Sequence, residues 1–273
     1  MGIALVTLSM FFYSCLYAFY KACSPYLSTL EIIFFQALGS WVLIFPWSLK
    51  HGLKSPQIGK IVLRTLCGLG GLLCITFALQ KTGLAEVVLL NNSAPLFVPL
   101  VLWLWLRTKI SGRLWLSLGV GFLGIFVIVR PGFEAVNPGL LLAVLSGIFS
   151  ALLLVITKFI AHEPLPRVLF YYFLLLWALL LPFVFRGIPP VPATVWLWLA
   201  CAAVASIGAQ LSFTKGMRYA TSEQVAPFIY TSVIFSGVID WFVWKDRIDL
   251  WAAVGMGIVC VASILSIEWM RKK

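Results

Sequence analysis

Residues 2–21 read GIALVTLSMFFYSCLYAFYK and residues 139–158 read GLLLAVLSGIFSALLLVITK. At an offset of 137 they share Gly2 with Gly139, Leu5 with Leu142, Leu8 with Leu145, Ser9 with Ser146, Phe12 with Phe149, Leu16 with Leu153 and Lys21 with Lys158. Leucines coincide by chance in apolar text, but a glycine, a serine and a lysine held in one register do not. The match continues downstream. At an offset of 136, Phe34, Trp41 and Pro46 recur as Phe170, Trp177 and Pro182, and Leu114, Trp115, Gly119 and Gly121 as Leu250, Trp251, Gly255 and Gly257. At 138, Gly70 and Thr76 recur as Gly208 and Thr214. The chain reads as two copies of one unit, residues 1–136 and 137–273.

Both copies are apolar throughout. Of 273 residues 62% are hydrophobic and 11% charged, with a mean hydropathy of +1.04, whereas a soluble domain carries about 25% charged residues. About 20 apolar residues cross a hydrocarbon core of roughly 30 Å as a helix, and runs of that length recur here. A soluble enzyme, a disordered chain and a nucleic-acid binder are excluded. Runs bounded by charge, proline, glycine and tryptophan predict ten transmembrane helices, near residues 3–22, 30–48, 59–80, 84–107, 114–130, 138–159, 168–186, 195–217, 222–243 and 250–269. The fold class is an all-α polytopic membrane protein with short loops, so function has to sit inside the bundle. Cys15, Cys23, Cys67, Cys74, Cys201 and Cys260 form no CxxC spacing and no cluster with histidine, which points to neither disulfide nor metal. No cofactor is expected. The first run has no basic segment ahead of it and is read as a retained span rather than a signal peptide.

Each unit holds five spans, an odd number, so the second enters the membrane from the opposite face to the first. Inverted repeats place a site near the midplane, between halves that can rock against each other. Transport by alternating access is the leading reading. With the N-terminus in the cytoplasm, fourteen basic residues fall on the inner side, from Lys50, Lys54, Lys60 and Arg64 to Arg271, Lys272 and Lys273. Lys21, Lys81, Arg130, Arg186, Lys245 and Arg247 fall outside. Both termini are expected to be cytoplasmic. The net charge of +11 is then mostly an orientation signal. Expected partners are a small-molecule metabolite and membrane lipids, with no nucleic acid, and the expected state is a monomer rather than a dimer. Trp41, Trp47, Trp103, Trp105 and Trp115 near inner ends, and Trp196, Trp198, Trp241, Trp244 and Trp251 near outer ends, read as interfacial belts.

Ten short-looped helices in a five-plus-five inverted repeat resemble the drug/metabolite transporter superfamily, in particular its EamA-type members. The more specific marks are Ala94-Pro95-Leu96-Phe97 in the fourth span, residues 124–132 ending in Val-Arg-Pro-Gly, Lys158 after the sixth span, and Trp244-Lys245-Asp246-Arg247 after the ninth. The resemblance covers essentially the whole chain. It implies a bacterial inner-membrane carrier of small metabolites such as amino acids, S-adenosylmethionine-like compounds or metallophores, acting as exporter or exchanger. Two positions depart from the family pattern: Gln36 stands where members often carry arginine, and Arg107-Thr108 where they often carry Gly-Glu.

Polar side chains deep in a span are costly in hydrocarbon and usually face the bundle interior. Asn91 and Asn92, just ahead of Pro95 in the fourth span, are the first substrate-binding candidates, because proline removes a backbone donor and opens the helix. Tyr230 is the repeat mate of Asn92 and joins them, as do Tyr13, Tyr17, Gln36 and Gln210. The embedded or span-end charges Arg64, Glu86, Lys215 and Asp240 are candidates for gating or proton coupling, against a plainer reading as snorkelling or paired charges. A polytopic enzyme acting on a lipid or lipid-linked substrate is the alternative. His51 and His162 fall in inner loops, and no HExxH or paired-aspartate run occurs.

Overall fold

The computed structural model describes residues 2–50, 52–53, 56–107, 112–129, 137–160, 163–184, 190–219, 228, 231–245 and 250–271. Among these the regular elements are helices: α1 Gly2–Cys23, α2 Thr29–Leu49, α3 Ile58–Leu79, α4 Leu84–Asn91, α5 Ala94–Leu106, α6 Gly112–Val129, α7 Pro138–Phe159, α8 Leu165–Val184, α9 Ala193–Tyr219, α10 Thr231–Val243 and α11 Leu250–Arg271. Among the described residues seven stretches are long and apolar enough to cross a membrane, where the sequence predicts ten spans; residues 231–243 and 253–262 are apolar but shorter. Large apolar side chains point outward all round, among them Leu104, Leu116, Phe183, Leu197, Ile234 and Leu250. In water such a surface would aggregate, and in lipid it is the matching face.

Local chemistry sets several helix ends. Ser28 and Glu31 form a capping box at the start of α2, with the Ser28 N–H donating to Glu31 Oε2 at 2.7 Å and the Glu31 N–H to Ser28 Oγ at 3.4 Å. Asn137 caps α7 by accepting from the Gly139 N–H at 2.8 Å, while its amide donates to the carbonyl of Lys81 at 3.3 Å. Arg107 closes α5 in the left-handed conformation, φ 51°, and its N–H donates to the Leu102 carbonyl.

The fourth expected span, 84–107, is two helices rather than one. Pro95 has no N–H to return to Asn91, and Pro99 none to return to Pro95, so two successive turns lose a donor. The chain leaves α-helix at Asn92 and Ser93 and re-enters at Ala94. From Leu84 to Leu106 the broken span reaches about 34 Å, with the break about 12 Å from Leu84.

Helices of residues 1–130 pack chiefly against helices of residues 137–273. α1 lies along α9, α3 along α7, α2 along α8 and α6 along α11, while α4 meets α10. Small residues allow the approach: a Cβ on Gly70 would stand 2.8 Å from the Phe149 ring, and one on Gly124 only 3.0 Å from the Val259 backbone nitrogen. The segment between α2 and α3 is tied to α8 as well. Arg167 Nε donates to the Gly52 carbonyl at 2.8 Å, and the Tyr171 hydroxyl to that of Leu53 at 2.7 Å.

Candidate functional site

The break between α4 and α5 aims its two asparagines at different helices. Asn91 Oδ1 accepts from Ser150 Oγ on α7 at 2.9 Å, and Ser146 Oγ lies 3.1 Å away on the same helix. Asn92 donates from Nδ2 to Ser232 Oγ on α10, at 2.5 Å. Ser14 on α1 completes this second set, with its hydroxyl 3.0 Å from the Ser232 carbonyl and 3.1 Å from Ser236 Oγ. The broken span is therefore a polar joint between α7, α10 and α1. The sequence marks the asparagines, but their serine partners lie on distant helices. Tyr230, the expected partner of Asn92, lies outside the described residues.

Gln36 belongs to another network. Its Oε1 accepts from the Tyr20 hydroxyl at 2.7 Å, its Nε2 donates to Ser40 Oγ at 2.7 Å, and Ser40 Oγ lies 3.2 Å from the Ala203 carbonyl. Both amide atoms are engaged, so in this conformation Gln36 links α1, α2 and α9. Tyr13, Tyr17 and Tyr20 climb α1 as an aromatic ladder, half-buried at Tyr13 and buried at Tyr17 and Tyr20, with Tyr13 and Tyr17 stacked at 6.0 Å and Tyr17 and Tyr20 edge-on at 6.3 Å. Tyr13 shares its face with Tyr17, as their one-turn spacing implies. Gln210 is buried on α9.

Arg64 sits at the lower end of that ladder, about 9 Å into α3. It is only 5% exposed, so it does not snorkel to water. Its Nε donates to Thr157 Oγ1 at 3.0 Å, and the Thr157 hydroxyl donates in turn to the Leu153 carbonyl at 2.7 Å. The guanidinium lies over the Tyr172 ring, 5.3 Å from its centroid, and Tyr13 and Tyr172 are the ionisable groups in electrostatic contact with it. Among the described residues no carboxylate pairs with it, and Nη1 is buried without a hydrogen-bond partner. A ring face under a cation returns only about 0.5–2 kcal/mol, well short of what a buried charge loses on leaving water.

At the other end of the same bundle Lys21 Nζ donates to Asp240 Oδ1 at 2.8 Å, with side chains 12% and 4% exposed, and also lies 4.5 Å above the Trp244 ring. This ion pair bolts the end of α1 to α10. Lys21 is not among the gate residues the sequence suggests, although it matches Lys158 across the repeat. Glu86 lies half-buried in the first turn of α4, and Lys215 is exposed near the end of α9. The tryptophans divide: Trp103, Trp105, Trp196, Trp241 and Trp251 are exposed as belt residues would be. Trp41 instead packs 5.7 Å from Trp177 and 5.9 Å from Phe170, inside the α2–α8 contact.

Comparison with known proteins places this arrangement. The chain is 26% identical over 277 residues to the pseudopaline exporter CntI of Pseudomonas aeruginosa, covering 99% of this chain and 97% of that one. It is 28% identical over 244 residues to a riboflavin transporter of Vibrio cholerae, covering 85% and 80%, and 26% identical over 268 residues to an S-adenosylmethionine uptake transporter of Rickettsia felis, covering 92% and 87%. One crystal structure superposes over 99% of this chain and 98% of its own, with a TM-score of 0.68 at 16% identity, which shares the fold. The profile of the EamA-like transporter family matches twice, over residues 1–130 and 137–267. A multi-pass protein of a bacterial membrane, matched along both halves in this way, belongs to the EamA-like transporter family.

Proposed function

We propose that this chain is a secondary active or facilitative transporter that moves a small polar metabolite, amino-acid-like or S-adenosylmethionine-like, across the bacterial inner membrane by alternating access, as exporter or exchanger. One observation carries the reading: the span broken at Asn92 and Ser93 holds its asparagines against α7 on one side and α10 on the other. Discontinuous helices at the contact of two repeats are where secondary transporters bind their solutes. A break there exposes backbone carbonyls and lets α4 and α5 move separately.

On this reading residues 1–136 and 137–273 are five-helix units of opposite orientation, ten spans in all, with both termini in the cytoplasm. The twofold profile match and the packing of each half's helices on the other's support it. Asn91, Asn92, Tyr13, Tyr17, Gln36, Gln210 and Tyr230 are the proposed solute contacts. Gln36 reaches the solute only after releasing Tyr20 and Ser40. The Lys21–Asp240 pair acts as an outer gate, closed in the present conformation, with Glu86 and Lys215 as further gating or coupling groups. The names of the relatives at about 25% identity span exporters and uptake systems, so solute and direction rest on experiment. Purified protein in liposomes is expected to carry solutes chemically unchanged, with saturation and counterflow. Product formation would instead make it an enzyme, and flux that never saturates would make it a pore.

A further inference from the structure

Arg64 is a cation only 5% exposed among apolar helices, held at Nε and left open at its fork. Each neighbour has a defined share in this. Thr157 can only accept from the arginine, because its own proton is directed to the Leu153 carbonyl. Tyr172 offers its ring face, packed so tightly that a Cβ on Gly68 would stand 2.9 Å from it. Tyr13 approaches from α1 and continues into the Tyr17 ladder. These contacts fix where the guanidinium points and leave its charge uncancelled.

A buried charge without a counter-ion is expensive, and inside membrane bundles such groups mark solute and ion pathways. The missing partner has a definite chemistry. A guanidinium presents parallel N–H donors in a plane, which a carboxylate accepts two at a time. Its surroundings are aromatic, so the anion arrives attached to something that tolerates tyrosine faces and hydroxyls.

We infer that the Arg64 fork receives a carboxylate carried by the transported solute, with Tyr13, Tyr17 and Tyr172 flanking the remainder of that molecule. This deepens the transporter reading and rests on it: it moves Arg64 from the gate to the binding site and makes the solute an organic acid or amino acid. An anionic lipid headgroup offers the same charge and fork geometry, so the measurement belongs in phosphatidylcholine nanodiscs, where no such lipid is present.

The probes are S-adenosylmethionine and the proteinogenic amino acids, each beside its carboxamide or methyl ester. The wild-type protein is expected to be stabilised against heat, saturably, by at least one acid and not by its neutral mate. Charge-assisted hydrogen bonds of this kind set the expected loss in Arg64→Gln at roughly 10- to 150-fold in affinity for that acid, with partial recovery in Arg64→Lys. Equal response to acid and ester, no response to any acid, or unchanged affinity in Arg64→Gln would each overturn the inference. The acid-against-ester comparison needs no variant, so it decides the matter even if Arg64→Gln does not fold. Flux separates the two readings. An acid that binds through Arg64 but is never carried across liposomes defeats the transporter reading alone, whereas saturable carriage that ignores the carboxylate defeats this one alone.

Discussion

Lys21 and Arg64 are both cations on apolar helices, the first largely buried and the second fully so, and the bundle treats them in opposite ways. Lys21 has a carboxylate at 2.8 Å and a tryptophan face above it. Arg64 has a threonine hydroxyl, a tyrosine face and an unpartnered Nη1. The first charge is satisfied by the protein itself, so its site is complete in the absence of any solute. The second is oriented but not neutralised, which leaves interaction energy to be realised when an anion arrives. On the proposed transporter reading, the contrast separates a gate group from a group that receives the solute.

The largest expected effect follows from cutting the completed pair. Asp240→Ala removes the carboxylate 2.8 Å from Lys21 Nζ, and breaking one side of a largely buried ion pair costs about 3–5 kcal/mol. Thermal unfolding of the detergent-solubilised protein is expected to fall accordingly, and the double variant Lys21→Met with Asp240→Leu to regain most of it. A cost below about 1 kcal/mol would mark a solvated surface pair instead and remove the contrast with Arg64.

Arg64 is expected to behave in reverse. Replacing an uncompensated buried charge with an apolar chain of similar volume removes a desolvation penalty, so Arg64→Met is expected to raise the unfolding temperature, by an amount corresponding to about 1–2 kcal/mol. A gain in stability together with lost carboxylate binding is the signature of a residue kept for function. If Arg64→Met destabilised as strongly as Asp240→Ala, Arg64 would be a structural linker after all.

How much of this the sequence carries differs between the fold and the site. Long apolar runs are a local signal, and the described helices lie along them, with the fourth run split in two. The break in the fourth span was legible as a proline effect, because Pro95 lacks its N–H whatever surrounds it. The partners were not. Asn91 and Asn92 meet Ser146, Ser150 and Ser232 from helices more than fifty residues away, and a serine in an apolar run carries no mark of which face it will present. Tyr20 and Tyr172 carry no mark in the sequence for the same reason, as aromatic letters among many. Arg64 reads from sequence as a span-end charge, since seven residues into a helix is within reach of snorkelling; only the packing of α7 and α8 over it makes it buried.

A middling effect is expected at the polar joint. Asn92→Ala removes the amide that donates to Ser232 Oγ and with it one tie between α4 and α10, at a cost of about 1 kcal/mol. Solute affinity is expected to fall as well if the joint lines the path, and Asn92→Ala protein that binds solute as the wild type does would confine this asparagine to helix packing.

The smallest effect tests what keeps the open charge in place. Tyr172 touches Arg64 with its ring face, 5.3 Å from the guanidinium carbon, and packs that ring over Gly68. Tyr172→Phe keeps both the face and the volume, so stability is expected to stay within about 0.5 kcal/mol of the wild type. Tyr172→Leu keeps an apolar fill but loses the quadrupole, at about 0.5–1 kcal/mol for a cation–π contact. Binding of the carboxylated probes then discriminates. If phenylalanine preserves affinity and leucine lowers it, the ring orients the guanidinium for its partner. If phenylalanine lowers it as much as leucine does, the Tyr172 hydroxyl is itself a contact to the solute, and the open side of Arg64 is shared between two donors rather than held by one.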